Sequence, residues 1–157
     1  MNVLHPPFVH FVIALPFAAL FSQITYLATK DTTYSKATTR ILAFALLVSF
    51  FAIYGGITDA QKILSDGNIL GYGKAILQSH KTFGIITVII LAITTILKWY
   101  ALDKKSFMLE KLSLSLIIIT ILATLYQGNM GGKLVYKYSA GIDNKIIKLR
   151  NNEAKQP

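Results

Sequence analysis

Four apolar runs separated by short polar connectors constrain this chain more than anything else in it: Phe8–Ala28, Ile41–Thr58, Thr82–Leu97 and Leu112–Gln127. Each is apolar all round rather than along one stripe, which suits a helix with lipid outside better than one on a soluble core. A bilayer's hydrocarbon core is about 30 Å thick and takes roughly 20 helical residues to cross. The first run is long enough. The others fall near or just short of that length, so each is expected to extend into its flanks. Composition agrees, since a soluble domain of 157 residues, 54% hydrophobic and with a mean hydropathy of +0.53, would leave too much apolar surface in water. The fold expected is all-α and integral to a membrane: a four-transmembrane-helix bundle with short connectors over residues 1–147. The charged tail, 148–157, is expected to lack fixed structure.

The absence of cysteine excludes disulfides, thiolate metal sites, cysteine catalysis and four-cysteine iron–sulfur ligation. No Walker, dinucleotide-binding, serine-nucleophile or H-E-x-x-H pattern appears, so no hydrolase or transferase is indicated. The net charge of +9 resides mainly at helix ends and in the tail, where it fits topology and contact with anionic lipid rather than nucleic acid. The N-terminal segment lacks a basic lead, and its apolar stretch exceeds a signal-peptide core, so Phe8–Ala28 is read as a permanent helix.

The punctuation between the runs is clear. Pro6-Pro7 can occupy a first helical turn, where no intrahelical N–H is needed. The connectors expected are Thr29–Thr39, Asp59–Gly73 with its Asp66-Gly67 and Gly71-Tyr72-Gly73 turns, and the basic Lys98–Lys111. Gly131-Gly132 is expected to end the fourth helix, with Lys133–Tyr138 extended at the interface.

A regular spacing adds a functional clue. His10 to Lys30, Arg40 to Asp59, His80 to Lys98 and Lys111 to Gly131 are each about 18–20 residues, roughly 27–30 Å of helix. Alternating helices would gather His10, Asp59, His80 and Gly131 in one layer near one membrane face, with His5 beside them. Interfacial hydrogen bonding is the commoner role for a lone histidine, but intramembrane ionisable groups are costly and often functional. Near helix N-termini both rings tend to stay neutral, the state that ligates metals and haem. Asp59, near the negative end of its helix, needs a partner; a histidine N–H, a tyrosine hydroxyl and Lys62 are the candidates. In the functional reading it orients a ligand histidine. Gly55-Gly56, Gly128, Gly131 and Gly132 permit close packing or leave room for a flat cofactor. Tyr54, Tyr72, Tyr126 and Tyr136 read as interfacial anchors.

Basic residues in the connectors after helices one and three (Lys30, Lys36, Arg40, Lys98, Lys104, Lys105, Lys111) place the histidine face and the termini outside, in the periplasm. The basic tail shares the histidine face and argues the other way.

HPPFVHFVIALP (5–16), YGGITD (54–59), His80 and GNMGGKLVYKYSAGI (128–142) together resemble the bacterial membrane-protein family catalogued as domain of unknown function 2231. The resemblance covers nearly the whole chain. It implies a four-helix domain of the bacterial cytoplasmic membrane with a histidine-bearing face, and no established activity. His5, His10, Asp59, His80, Gly131 and Gly132 are its matching positions. Tyr138 departs from it, standing where members often carry a histidine, so a metal role there does not carry over. Val12 departs too, where proline is frequent.

The leading functional expectation is b-type haem between His10 and His80, with Asp59, His5 and the glycines around it, serving electron transfer to a membrane redox partner. A non-catalytic membrane subunit or assembly factor is the alternative. A mononuclear metal site of His5, His10, His80 and Asp59 is the third.

Overall fold

The computed structural model describes residues 5–67 and 69–153. Four long helices follow one another: α1 (His5–Thr29), α2 (Thr32–Ser65), α3 (Gly73–Asp103) and α4 (Phe107–Tyr138), with a short α5 (Asn144–Glu153) after them. All four long helices are apolar and long enough to cross a membrane. α1 packs on α2 and α4, and α3 packs on α2 and α4, so α1 and α3 face each other across one diagonal. This is an up-down-up-down bundle. α2, at 34 residues, is about 51 Å long and outreaches the hydrocarbon core.

The helices extend into their flanks, as their short apolar runs required, and the connectors shrink accordingly. Lys30, at φ 60°, turns the chain out of α1, and Asp31 then caps α2 by accepting from the Thr33 N–H. Gly67 and Gly71 carry the positive φ angles of the second connector. The third reduces to Lys104–Ser106, with the Ser106 hydroxyl accepting from the Leu109 N–H. Gly131-Gly132 does not end α4, and Lys133–Tyr138 is helical rather than extended. Leu134 explains why. It is buried against Ala60, Ile69, Leu77 and Ala140, and such packing outweighs about 1 kcal/mol per mid-helix glycine. The helix stops instead at Ser139, in the left-handed region at φ 53°. Of the tail, residues 148–153 continue α5, and 154–157 lie outside the described residues.

The interior is small and hydroxylic while the exterior is large and apolar. Ala19, Ala45, Ala52, Ser49, Thr87, Thr94, Thr95, Thr120 and Thr124 are buried; Phe21, Phe50, Ile96 and Leu122 face outward. Lipid tails are as apolar as leucine, so helices gain by close approach of small residues rather than by hiding large ones. The threonines satisfy their hydroxyls on their own helices, as Thr87 does on Phe83 O and Thr95 on Leu91 O. Thr94 and Thr120 also meet at 3.0 Å between α3 and α4. Exposed aromatics mark both ends: Trp99 and Tyr100 at one, Tyr54, Tyr72, Tyr126 and Tyr136 at the other.

Candidate functional site

Two polar centres occupy opposite ends of the bundle. His80 and Lys98 both lie on α3, so the centres are separated by roughly 27 Å along it, about one hydrocarbon thickness.

At the histidine end, the first turn of α1 is held by α2. The His5 backbone N–H donates to Asp59 Oδ2 at 3.3 Å. α2 runs on to Ser65, so Asp59 lies nearly two turns inside its helix rather than at its negative end, and its partner is the positive N-terminus of α1. The His5 ring reaches the same helix: its Nδ1 is 2.7 Å from the Ala52 carbonyl oxygen. A carbonyl only accepts, so Nδ1–H is the donor, and in the neutral ring Nε2 keeps its lone pair. Gly56 makes this approach feasible, because a Cβ there would lie 2.9 Å from His5 Nδ1.

His80 stands across the diagonal, its ring centroid 6.1 Å from that of His5 and the two planes at 85°. Gln127 of α4 holds it. The Gln127 amide nitrogen donates to the His80 carbonyl at 2.8 Å and lies 3.3 Å from His80 Nε2. The carbonyl contact fixes which end of the amide is nitrogen. A donor facing Nε2 makes that atom the acceptor, so the neutral His80 ring carries its proton on Nδ1. Among the described residues, that buried Nδ1 has no partner, and neither does Gln127 Oε1. Gly84 and Gly131 seat the pair: a Cβ would come within 3.0 Å of Gln127 Nε2 at the first and 3.4 Å of His80 Cε1 at the second.

His5, Asp59, His80 and Gly131 thus come together, while His10 and Gly132 do not. His10 is exposed and its Nδ1–H donates to Pro6 O, 2.6 Å away on its own helix. Five residues along an α-helix turn it by about 140°, so His5 and His10 cannot both face inward. Gly132 has only Tyr136 near its Cβ direction, at 4.0 Å. Among the described residues, no three His, Asp or Glu side chains form a metal-binding group. Gln127 was missed by sequence reasoning. Its signal was an amide closing an apolar run, four residues before Gly131 and hence on the same face.

The second centre was missed altogether. Lys98 is not a connector charge; it is fully buried in α3 and paired with Glu110 of α4 at 3.0 Å. Lys98 Nζ also donates to Ser35 Oγ at 2.7 Å, and Ser35 in turn donates to Glu110 Oε1 at 2.6 Å. Gln23 completes the set, donating to Glu110 Oε2 at 2.7 Å and to its carbonyl at 2.9 Å. Each long helix contributes one residue. The signal was present in Lys98 itself: Trp99–Asp103 follow with no breaker, so the helix runs on and carries Lys98 onto the buried face of Thr94, Thr95 and Ala101.

A family model described as "Predicted membrane protein (DUF2231)" matches residues 2–144. No curated protein and no solved structure matches the chain.

Proposed function

The chain belongs to the DUF2231 family of predicted membrane proteins, and from that premise we propose that its histidine end holds a metal-centred redox group, b-type haem, between His5 and His80. The observation that carries this reading is the state of the His5 ring. Nδ1–H is committed to the Ala52 carbonyl and Nε2 has no hydrogen-bond partner among the described residues, which is how ligating histidines are commonly fixed. Two ring nitrogens each about 2 Å from one metal ion put their ring centroids roughly 6 Å apart, close to the 6.1 Å between His5 and His80; to ligate, His80 Nε2 would exchange its long 3.3 Å contact with the Gln127 amide for the metal. His5 therefore replaces His10 as the partner of His80. A haem held there would supply one-electron chemistry to a redox partner in the same membrane.

A second reading, a non-catalytic membrane subunit or assembly factor, is favoured by a different observation. The imidazole rings fill the space that Gly56 and Gly131 leave, so a flat group enters only if rings and helices part. On this reading the histidines and Asp59 serve to fasten α1 to α2 and α3 to α4.

Oxidised and reduced spectra of protein grown with haem supply and purified in mild detergent separate the two. The expected result is a Soret band in the parent and in His10→Ala, lost in His5→Ala and His80→Ala. No band in the parent, beside a haem-loaded control protein, overturns haem. Metal analysis of the same samples then tells a single ion dependent on His5 and His80 from the non-catalytic reading, which expects neither.

The proposal places the protein in a bacterial cytoplasmic membrane with the histidine end facing the periplasm, on the strength of Lys30, Lys36, Arg40, Lys104, Lys105 and Lys111 at the opposite end. Buried Lys98 no longer supports it, and Lys62, Lys74, Lys81, Lys133, Lys137, Lys145 and Lys148 at the histidine end oppose it. Cysteine labelling of intact cells decides, and Thr33 and Ser65 are exposed sites suited to it, whereas Ser35 is buried. Labelling of Ser65→Cys without Thr33→Cys is expected; the converse reverses the orientation.

A further inference from the structure

α5 has ten residues and, among the described residues, packs against none of the four long helices. A helix shorter than about 12–15 residues is marginal in water on its own, and the bundle lends this one no packing. Its start is well defined. The chain leaves α4 through left-handed Ser139, Ala140 is buried, and Asp143 Oδ1 accepts from the Lys145 N–H at 2.8 Å. Ile146 and Leu149, three residues apart and so on one side, are 56% and 54% exposed. Lys145 and Lys148, also three apart, are exposed beside them. The last turn of α4 adds exposed Lys137 and Tyr136 at the same end of the bundle.

We propose that α5 is a surface helix lying on the bilayer at the histidine end, with Ile146 and Leu149 set into the headgroup–acyl boundary and Lys145 and Lys148 against the phosphates of anionic phospholipids. The membrane itself is what covers the apolar side. An apolar pair beside a basic pair, at the edge of four membrane-crossing helices, matches the chemistry of an interfacial helix. Lysines close to an anionic surface contribute about fivefold each in affinity. This inference stands apart from the redox reading, because it involves none of the histidines.

The full chain lacks native cysteine, so Leu149→Cys can carry a single environment-sensitive fluorophore in nanodiscs. In discs of phosphatidylcholine mixed with phosphatidylglycerol, the emission is expected to shift to the blue and to resist iodide quenching relative to pure phosphatidylcholine. High salt should reverse both effects. Adding Lys145→Gln and Lys148→Gln should weaken docking by about an order of magnitude or more. Emission that is equal in the two lipid mixtures, or indifferent to the lysine substitutions, overturns the proposal. So does a blue shift in lipid-free detergent that grows with protein concentration, which would assign this side to a second copy of the chain.

Discussion

The two polar centres are built from the same parts and differ in what they leave unfinished. Each draws side chains from all four long helices. At the Lys98 end both charges are fully engaged: the ammonium meets Ser35 and Glu110, and the carboxylate meets Lys98, Ser35 and Gln23. Among the described residues, only Gln23 Oε1 lacks a partner there. At the histidine end Asp59 is buried while His5, His80 and Gln127 are partly exposed, the Gln127–His80 ring contact is a long 3.3 Å, and the buried atoms His80 Nδ1 and Gln127 Oε1 have no partner among the described residues. A closed network of charges fixes helix register. An open one keeps an unused donor and acceptor within reach of something the protein does not itself provide. Burial makes both consequential, since an unsatisfied polar group away from water is costly.

The contrast breaks most readily at the closed end. Glu110→Ala leaves the Lys98 ammonium buried without its counter-charge, which typically costs about 3–5 kcal/mol. Glu110 also lies in the first turn of α4, where a carboxylate complements the helix dipole. Reversible unfolding in mixed detergent micelles should show that loss. The double substitution Lys98→Met with Glu110→Leu should recover most of it, because an apolar pair of similar volume needs no counter-charge. A Glu110→Ala protein as stable as the parent would remove the distinction between a clasp and a site.

The architecture was legible because the bilayer narrows the options. Four apolar runs of near-spanning length must become helices, and short connectors between them must alternate direction. Depth was legible for the same reason, as counting residues measures rise along an axis. Azimuth was not. His10 and His80 are matched in depth, yet His10 points out of the bundle, because facing depends on which side of α1 packs inward and both sides of that helix are apolar. Lys98 and Glu110 were hidden by the habit of charge. A basic residue near the end of an apolar run is ordinarily at the interface, and only the uninterrupted helix beyond Lys98 marks it as interior. Asp59 lay between these cases. Its electrostatic need was readable from the sequence, but its partner is a backbone amide, which every sequence position offers alike.

A smaller effect tests the open end. Gly56→Ala places a methyl group 2.9 Å from His5 Nδ1, closer than van der Waals contact allows, and the ring is the part able to move. Helix propensity then gains about 1 kcal/mol while the His5–Ala52 hydrogen bond, worth about 0.5–1.5 kcal/mol, is lost. The two nearly cancel, so global stability should scarcely change. What should change is the His5–His80 relationship, read as a shifted or absent Soret band under the haem reading, or as altered imidazole NMR shifts of His5 and His80 in any case. Unmoved His5 and His80 resonances in Gly56→Ala would mean that Gly56 does not position the ring.

The most local effect is expected at Asp59, where the two ends of the comparison meet in one residue: a carboxylate, as in the closed centre, serving the open one. Asp59→Asn retains an oxygen able to accept from the His5 N–H. It gives up the charge that favours the N-terminus of α1, worth about 0.3–1 kcal/mol, and, lying six residues before the end of α2, relieves little repulsion there. Stability should therefore fall by about 0.3–1 kcal/mol. Asp59→Ala removes the acceptor as well and should cost more, about 0.5–2 kcal/mol, as loss of a helix cap does. Amide exchange in the first turn of α1 reports the difference locally, with protection kept in the asparagine variant and lost in the alanine variant. Equal loss in both would mean that α1 depends on the charge of Asp59 rather than on its hydrogen bond, and the histidine end would then be held electrostatically, like the end that carries Lys98.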